Sequence, residues 1–115
     1  MDISIIIPCR NLENYITPLL SSFQLLNLDS IQAEFIFVLD DCADKTKDII
    51  EAKMQGLNFI IIEDCVHSCG LARNRGIEQA QGDYIWLVDG DDWIIYYNIL
   101  VDCLPVMRQD NLNII

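Results

Sequence analysis

The chain has 115 residues, 52% of them hydrophobic, and a formal charge of -11 from 18 acidic against 7 basic residues. That length makes one domain able to bury roughly two-thirds of its unfolded surface, so intrinsic disorder is excluded. The acidic excess excludes a protein that follows phosphates along a basic stripe, so no nucleic-acid partner is expected, and it disfavours adsorption to an anionic membrane.

The first element is Ile3-Ser4-Ile5-Ile6-Ile7, a β-branched run ended by Pro8 that reads as a buried strand. Leu12, Ile16, Leu19, Leu20, Phe23 and Leu26 then recur at helical spacing, with Thr17 as expected cap and Pro18 in the first turn. Glu34 to Leu39 is a second strand stopped by Asp40-Asp41. Asp44 can cap a second helix that buries Ile49, Ile50 and Met54 and ends at Gly56. Asn58 to Ile62 is a third strand, and a third helix runs from about Gly70 to Ala80, presenting Ala72, Ile77 and Ala80. Asp83 to Val88 is a fourth strand. Asp92 is expected to cap a last helix bearing Ile95, Tyr96, Ile99, Leu100 and Cys103, with Pro105 as its stop. Leu112-Asn113-Ile114-Ile115 resembles the start of another strand.

No apolar run approaches the ~18 residues of a membrane span. Asp2 precedes a short apolar run that breaks at Pro8, which is not a signal peptide. The expected compartment is the cytosol, with a place at the inner membrane face only through partners. Five scattered cysteines without a CxxC pair are expected as free thiols filling core positions.

Strands alternate with helices, and the strands are apolar throughout instead of alternating with polar residues. The expected fold class is α/β, a mainly parallel sheet with helices on both faces. Ligands of such sheets sit beyond the carboxyl ends of the strands, which directs attention to the loops after Ile7, Leu39, Ile62 and Val88.

The loop after the fourth strand holds Asp89, Asp91 and Asp92 around Gly90. Three carboxylates so close repel one another unless a cation neutralises them, and oxygen ligands of this kind suit Mg²⁺ or Mn²⁺. Gly90 would let the backbone turn sharply and a ligand approach. A solvated turn with Asp92 as helix cap explains the same residues without a metal. The loop after the second strand offers Asp40 and Asp41 as acceptors for a base N–H or a ribose hydroxyl, or simply an Asx turn. After the first strand come Pro8, Arg10, Asn11 and Glu13; Arg10 could stack on a base, meet a phosphate or remain a surface arginine. The third helix opens with Gly70-Leu71-Ala72-Arg73-Asn74-Arg75-Gly76, whose free N–H groups and Arg73 suit an anion. There is no GxGxxG and no Walker loop. A zinc site from Cys65, His67 and Cys69 lacks the spacing of a standard finger, and His67 is expected to face solvent.

These segments, in this order and spacing, resemble the inverting glycosyltransferase family 2 with the GT-A fold. The resemblance runs from Ile3 to about Ile95. It is carried by Ile5-Ile6-Ile7-Pro8-Cys9-Arg10-Asn11, Val38-Leu39-Asp40-Asp41-Cys42-Ala43-Asp44-Lys45-Thr46, Ala72-Arg73-Asn74-Arg75-Gly76-Ile77, Gly82-Asp83-Tyr84-Ile85 and Leu87-Val88-Asp89-Gly90-Asp91-Asp92-Trp93. It implies that Pro8, Glu13 and Asp41 surround the nucleoside, with Asp41 facing the base and Arg73 near base and phosphates. Asp89-Gly90-Asp91 becomes the metal motif for Mg²⁺ or Mn²⁺, with Asp91 as direct ligand and Asp89 on the ribose or the metal. Two departures stand out: Arg10 replaces the family's usual Tyr, and Cys42-Ala43 replaces Gly-Ser after the paired aspartates. The implied donor is a nucleotide-diphosphate sugar, with UDP-sugar favoured. The implied acceptor is a saccharide or lipid-linked hydroxyl used in polysaccharide biosynthesis. Acceptor and catalytic base are expected in a C-terminal part beyond residues 1–115. A nucleotidyltransferase would carry a Gly-rich basic loop after the first strand, and a response-regulator-like module would carry an acidic pocket there and a late lysine. Pro8-Cys9-Arg10-Asn11 and the absence of lysine after Lys53 fit neither.

Overall fold

The structure, a computed structural model, describes residues 1–110. Its elements are β1 (Ile3–Cys9), α1 (Thr17–Leu25), β2 (Ala33–Asp40), α2 (Thr46–Lys53), β3 (Phe59–Asp64), α3 (Cys69–Gln79), β4 (Tyr84–Leu87) and α4 (Ile99–Gln109). The strand expected over Leu112–Ile115 lies outside the described residues. The sheet order is β3-β2-β1-β4 and every pairing is parallel. All four carboxyl ends therefore share one edge, and the order reverses between β1 and β4. A crevice opens at such a reversal, where the helices on either side leave the sheet in opposite directions.

The central strands β1 and β2 are buried along their whole length, which is why they read as continuous apolar runs. One sheet face packs Ile3, Ile5, Ile7, Phe35, Phe37 and Leu39 against Leu19, Leu20 and Phe23 of α1, Ile50 of α2 and Leu100, Leu104 and Met107 of α4. Phe23 and Phe35 sit with ring centroids 4.7 Å apart. Each such side chain contributes about 1.5–3 kcal/mol by leaving water. The opposite face packs Ile6, Ile36 and Val38 against Ala72 of α3. That helix lies close because Gly76 faces the sheet: a Cβ there would collide with Ile6 Cγ2 and stand 3.2 Å from Val38 Cγ2. Ile77, expected on this buried face, is exposed instead.

The helix starts differ from their expected caps in informative ways. Thr17 is the first residue of α1 and not its cap; Ile16 occupies that position without a side-chain bond, and Pro18 sits in the first turn as expected. Lys45 stands at the boundary of α2, yet Asp44 still serves its first turn, accepting from Thr46 N–H at 3.0 Å. α2 ends at Lys53, ahead of Gly56, which holds a left-handed turn at φ 86°. The cap of α3 is Ser68, whose hydroxyl accepts from Leu71 N–H at 3.2 Å.

The largest departure is the last helix. Asp92 caps nothing; its N–H bonds Asp89 C=O at 3.1 Å, closing the acidic turn. The following segment is pinned to α1 by bonds from Ile94 N–H to Ser22 Oγ (3.1 Å) and from Asn27 N–H to Tyr97 C=O (2.8 Å). Ile94 is buried, whereas Ile95 and Tyr96 are exposed, so α4 begins only at Ile99. Pro105 lies inside α4 and does not stop it. An interior proline costs a helix about 3 kcal/mol; burial of Leu104 and Met107 on either side of it offsets that. Among the described residues no helix is long and apolar enough to cross a membrane. The five cysteines are free thiols, but only Cys9 is buried as expected; Cys65 and Cys69 are exposed.

Candidate functional site

Two loops at the carboxyl edge, after β1 and after β2, are laced together. Leu12 N–H donates to Thr46 Oγ1 (2.9 Å), Glu13 N–H to Asp44 Oδ2 (3.0 Å) and Ala43 N–H to Asn11 Oδ1 (2.8 Å). Asn11 and Asp41 both adopt φ 52°, a left-handed conformation that Asn and Asp tolerate better than most side chains. Cys42 fits into this lace: its Sγ lies 3.4 Å from Cys9 C=O as donor and 3.4 Å from Asn11 N–H as acceptor. Burial, with the charges of Asp44, Asp40 and Asp41, pushes its thiol above the ordinary range, so the proton it donates is retained.

Asp40 is buried and turns inward to the β3–α3 loop. Its carboxylate accepts N–H bonds from Val66 (2.8 Å), His67 (2.8 Å) and Ser68 (2.9 Å). Burial pushes its pKa up, but the three backbone donors outweigh burial and hold it below the usual 3.8. Asp44 is governed the same way: burial raises it, and the Thr46 hydroxyl with the Glu13 and Thr46 amides lowers it further. Depressed folded pKa values stabilise the fold above the unfolded value and lose that contribution as pH falls through the folded one. Unfolding free energy from urea titrations is thus expected to be level from pH 7 to about 5 and to drop as the pH falls below the ordinary aspartate value of 3.8. Asp44→Asn should shallow that acid limb; an unchanged limb would remove Asp44 from its cause.

Asp41, the neighbour, faces solvent at the other side of the loop. Its Oδ2 lies 3.1 Å from His67 Nε2, and Arg10 Nη2 lies 3.1 Å from His67 Nδ1. A guanidinium only donates, so Nδ1 is the acceptor and the ring proton sits on Nε2, directed at Asp41. Cys65 Sγ is 3.1 Å from the same Nε2. His67 is half exposed, but it is a bridge between β1 and β2 loops and not a bystander.

Beside this bridge the surface falls into a cleft of about 160 Å³ between Arg10, His67 and Ser68. A second cleft of about 370 Å³ continues from it, sharing Pro8, Arg10 and Cys69, and reaches the acidic turn. Pro8, Arg10, Arg73, Asp89, Gly90 and Asp91 line this second cleft together. Glu13 and Asp41 line neither: the backbone amide of Glu13 ties the loop, and Asp41 meets the first cleft only through its contact with His67. Gly90 serves close packing and not a left-handed turn: a Cβ there would meet Leu12 Cδ1, the movable end of that side chain, and stand 3.6 Å from Cys9 Sγ and Pro8 C=O. Arg73 reaches across from α3 and its Nη2 donates to Asp89 Oδ1 at 2.9 Å.

Carboxylate oxygens of Asp89, Asp91 and Asp92 all lie within 4.8 Å of one another, and all three residues are exposed. Opposite oxygens around octahedral Mg²⁺ stand about 4.2 Å apart, twice the metal–oxygen distance. This donor set therefore fits such an ion in size and in chemistry. With one Asp89 oxygen taken by Arg73, Asp91 and Asp92 offer the less encumbered carboxylates. Asp40, His67 and Ser68 are site residues that sequence reasoning did not single out for these roles; the available sign was Ser68 standing before the third helix.

The family model described as Glycosyl transferase family 2 matches residues 4–113. The putative glycosyltransferase EpsH of Bacillus subtilis is 39% identical over 94 residues, covering 80% of this chain and 26% of that protein. The poly(ribitol-phosphate) beta-N-acetylglucosaminyltransferase TarS of Staphylococcus aureus is 39% identical over 98 residues, covering 82% of this chain and 17% of TarS. The crystal structure of TarS 1-349 in complex with UDP-GlcNAc superposes with a TM-score of 0.88 at 30% identity, over 96% of this chain and 32% of that one. A mannosyltransferase from Pyrobaculum calidifontis, solved with GDP-Man and Mn²⁺, shares the fold at a TM-score of 0.80 and 17% identity, over 91% of this chain and 32% of that one. The chain thus spans well under half the length of these relatives. Strand order, the edge on which the loops gather and a match across nearly every residue agree: this chain is a member of glycosyl transferase family 2, with the GT-A fold.

Proposed function

We propose that the chain is the donor-binding part of an enzyme that transfers a sugar, with inversion, from a UDP-sugar to an acceptor hydroxyl. The observation that carries this is the cleft at the β1–β4 reversal, where Arg73, Asp89 and Asp91 face Pro8 and Arg10. TarS, solved with UDP and with UDP-GlcNAc, supports the choice of donor. In this proposal Asp41 accepts the N–H of the base, held in place by His67. Pro8 walls the nucleoside, and Arg10 covers the base by a cation–π contact in place of an aromatic ring. Arg73 positions Asp89 toward the ribose and leaves its remaining donors for the diphosphate. Asp91, with Asp89, would hold Mg²⁺ or Mn²⁺, which when bound offsets the negative charge that builds on the departing diphosphate. The acceptor, saccharide or lipid-linked, and its base are assigned to the length that the relatives have beyond this stretch. The 115 residues supply donor binding and leaving-group stabilisation.

Calorimetry with UDP and Mn²⁺ tests this directly. Asp41→Ala is expected to weaken UDP binding by about 1–3 kcal/mol, the range for a charge-assisted hydrogen bond. The affinity for Mn²⁺ alone should not change. Unaltered UDP affinity would take Asp41 out of the site.

A further inference from the structure

We propose that Asp41, Cys65 and His67 form a binding site for a borderline-soft divalent cation, with Zn²⁺ as its first candidate, at the nucleoside end of the cleft. Filling it would shut the nucleotide out. The second half of the proposal rests on the functional reading above; the first does not.

One ligand atom from each residue lies within 4.8 Å of the others. His67 Nε2 stands 3.1 Å from both Cys65 Sγ and Asp41 Oδ2. Zinc bonds of about 2.3 Å to sulfur and 2.0–2.2 Å to nitrogen and oxygen, at tetrahedral angles, place such atoms about 3.4–3.6 Å apart. The two spacings to His67 need to open by less than about half an ångström to reach that value, and the third, between Cys65 and Asp41, lies within 4.8 Å and is set by exposed, rotatable side chains. The backbone that carries His67 is already fixed, because Asp40 takes the amides of Val66, His67 and Ser68. Three protein ligands leave one position for water.

The donor chemistry separates this site from the acidic turn. Asp89, Asp91 and Asp92 offer only hard oxygens, which suit Mg²⁺ and Mn²⁺, whereas a thiolate and an imidazole favour Zn²⁺. As zinc binds, the Cys65 proton leaves to solvent and the sulfur–metal bond forms. The His67 proton moves from Nε2 to Nδ1 so that Nε2 can ligate. Nδ1–H then faces Arg10, another donor, at 3.1 Å, and Arg10 has to withdraw. Zinc therefore draws charge from the Asp41 carboxylate, weakening it as base acceptor, and displaces Arg10 in one event.

Co²⁺ titration of the whole chain, followed by Zn²⁺ competition, reads the site through the thiolate-to-cobalt absorption band. One equivalent of Co²⁺ should give the band. Cys65→Ser should abolish it and weaken Zn²⁺ by at least about tenfold, the lower bound for disturbing even an outer-shell partner. His67→Gln should do the same, while Cys69→Ser and Asp91→Asn should keep the band. Arg10→Gln should tighten Zn²⁺, since its side-chain oxygen can accept from Nδ1–H. A missing band in the unmodified chain, or one that survives Cys65→Ser, overturns the site. Calorimetry in Mg²⁺ should then show Zn²⁺ weakening UDP in the unmodified chain and not in Cys65→Ser. Undiminished UDP affinity with zinc bound overturns the exclusion. No UDP binding even without zinc overturns the nucleotide reading and the exclusion with it, while the cobalt band still decides the metal site.

Discussion

Asp40→Ala is expected to destabilise the chain by about 3 kcal/mol, a large share of the roughly 6–17 kcal/mol that a fold of this size holds. Asp40 is the common acceptor for three consecutive backbone amides, at 2.8, 2.8 and 2.9 Å. Removing it orphans all three, and each unpartnered donor costs about 1–3 kcal/mol. The sum is reduced because a desolvated carboxylate disappears and water can enter from the half-open loop. Asp40→Asn keeps one accepting oxygen but turns an NH₂ group toward an amide donor, so it should lie between the two. Urea unfolding monitored by tryptophan fluorescence measures the loss. A change below about 1 kcal/mol would mean that water replaces the carboxylate fully. UDP binding should weaken in the same variant, because His67 is held through this loop and Asp41 through His67.

The second expected result concerns the acidic turn. Mn²⁺ and UDP together should raise the melting temperature by more than the sum of their separate shifts, because the diphosphate and the carboxylates would share one ion. At a hundredfold excess over the dissociation constant the pair stabilises by about 2.7 kcal/mol, which for a chain of this size is a shift on the order of 10 °C. Asp91→Asn should remove the metal-dependent part and leave the unliganded melting temperature nearly unchanged, since the residue is exposed. Asp89 is the poorer choice for this test, as its loss also frees Arg73. Strictly additive shifts would argue against a shared ion.

Much of the fold was legible because β1 and β2 are mostly apolar and carry no alternation of polar residues, as strands buried on both faces of a parallel sheet do; the polar exceptions Ser4 and Glu34 bond each other. Once the sheet is parallel, the loops that gather at one edge follow. What stayed hidden depends on partners distant in the chain. Asp40 and Asp41 are identical side chains in adjacent positions, and only the length of β2, running through Asp40, decides which turns inward. The stretch after the acidic turn looked helical by its own spacing, yet Ser22 and Asn27 of the α1 region capture it as an irregular segment. His67 gained its role from Arg10 and Asp41, neither of them near it in sequence. Gly90 announced flexibility and instead answers to the bulk of Leu12.

The strand order also sets how locally each half of the cleft is tied to the rest of the chain. β1 meets β2 by pairing Ile3 with Ala33, but it meets β4 by pairing Ile3 with Tyr84. Closing the longer stretch of chain costs more loop entropy, and β4 offers only four residues in return. The side of the carboxyl edge carrying Asp41 and His67 is thus tied by the more local pairings, and the side carrying Asp89 and Asp91 by the more distant one. β4, an edge strand of four residues, holds to the sheet through β1 alone and has fewer ladder bonds than either central strand. In the proposed function, the base would therefore dock against the more extensively paired side of the cleft, and the cation against the side held by only four strand residues.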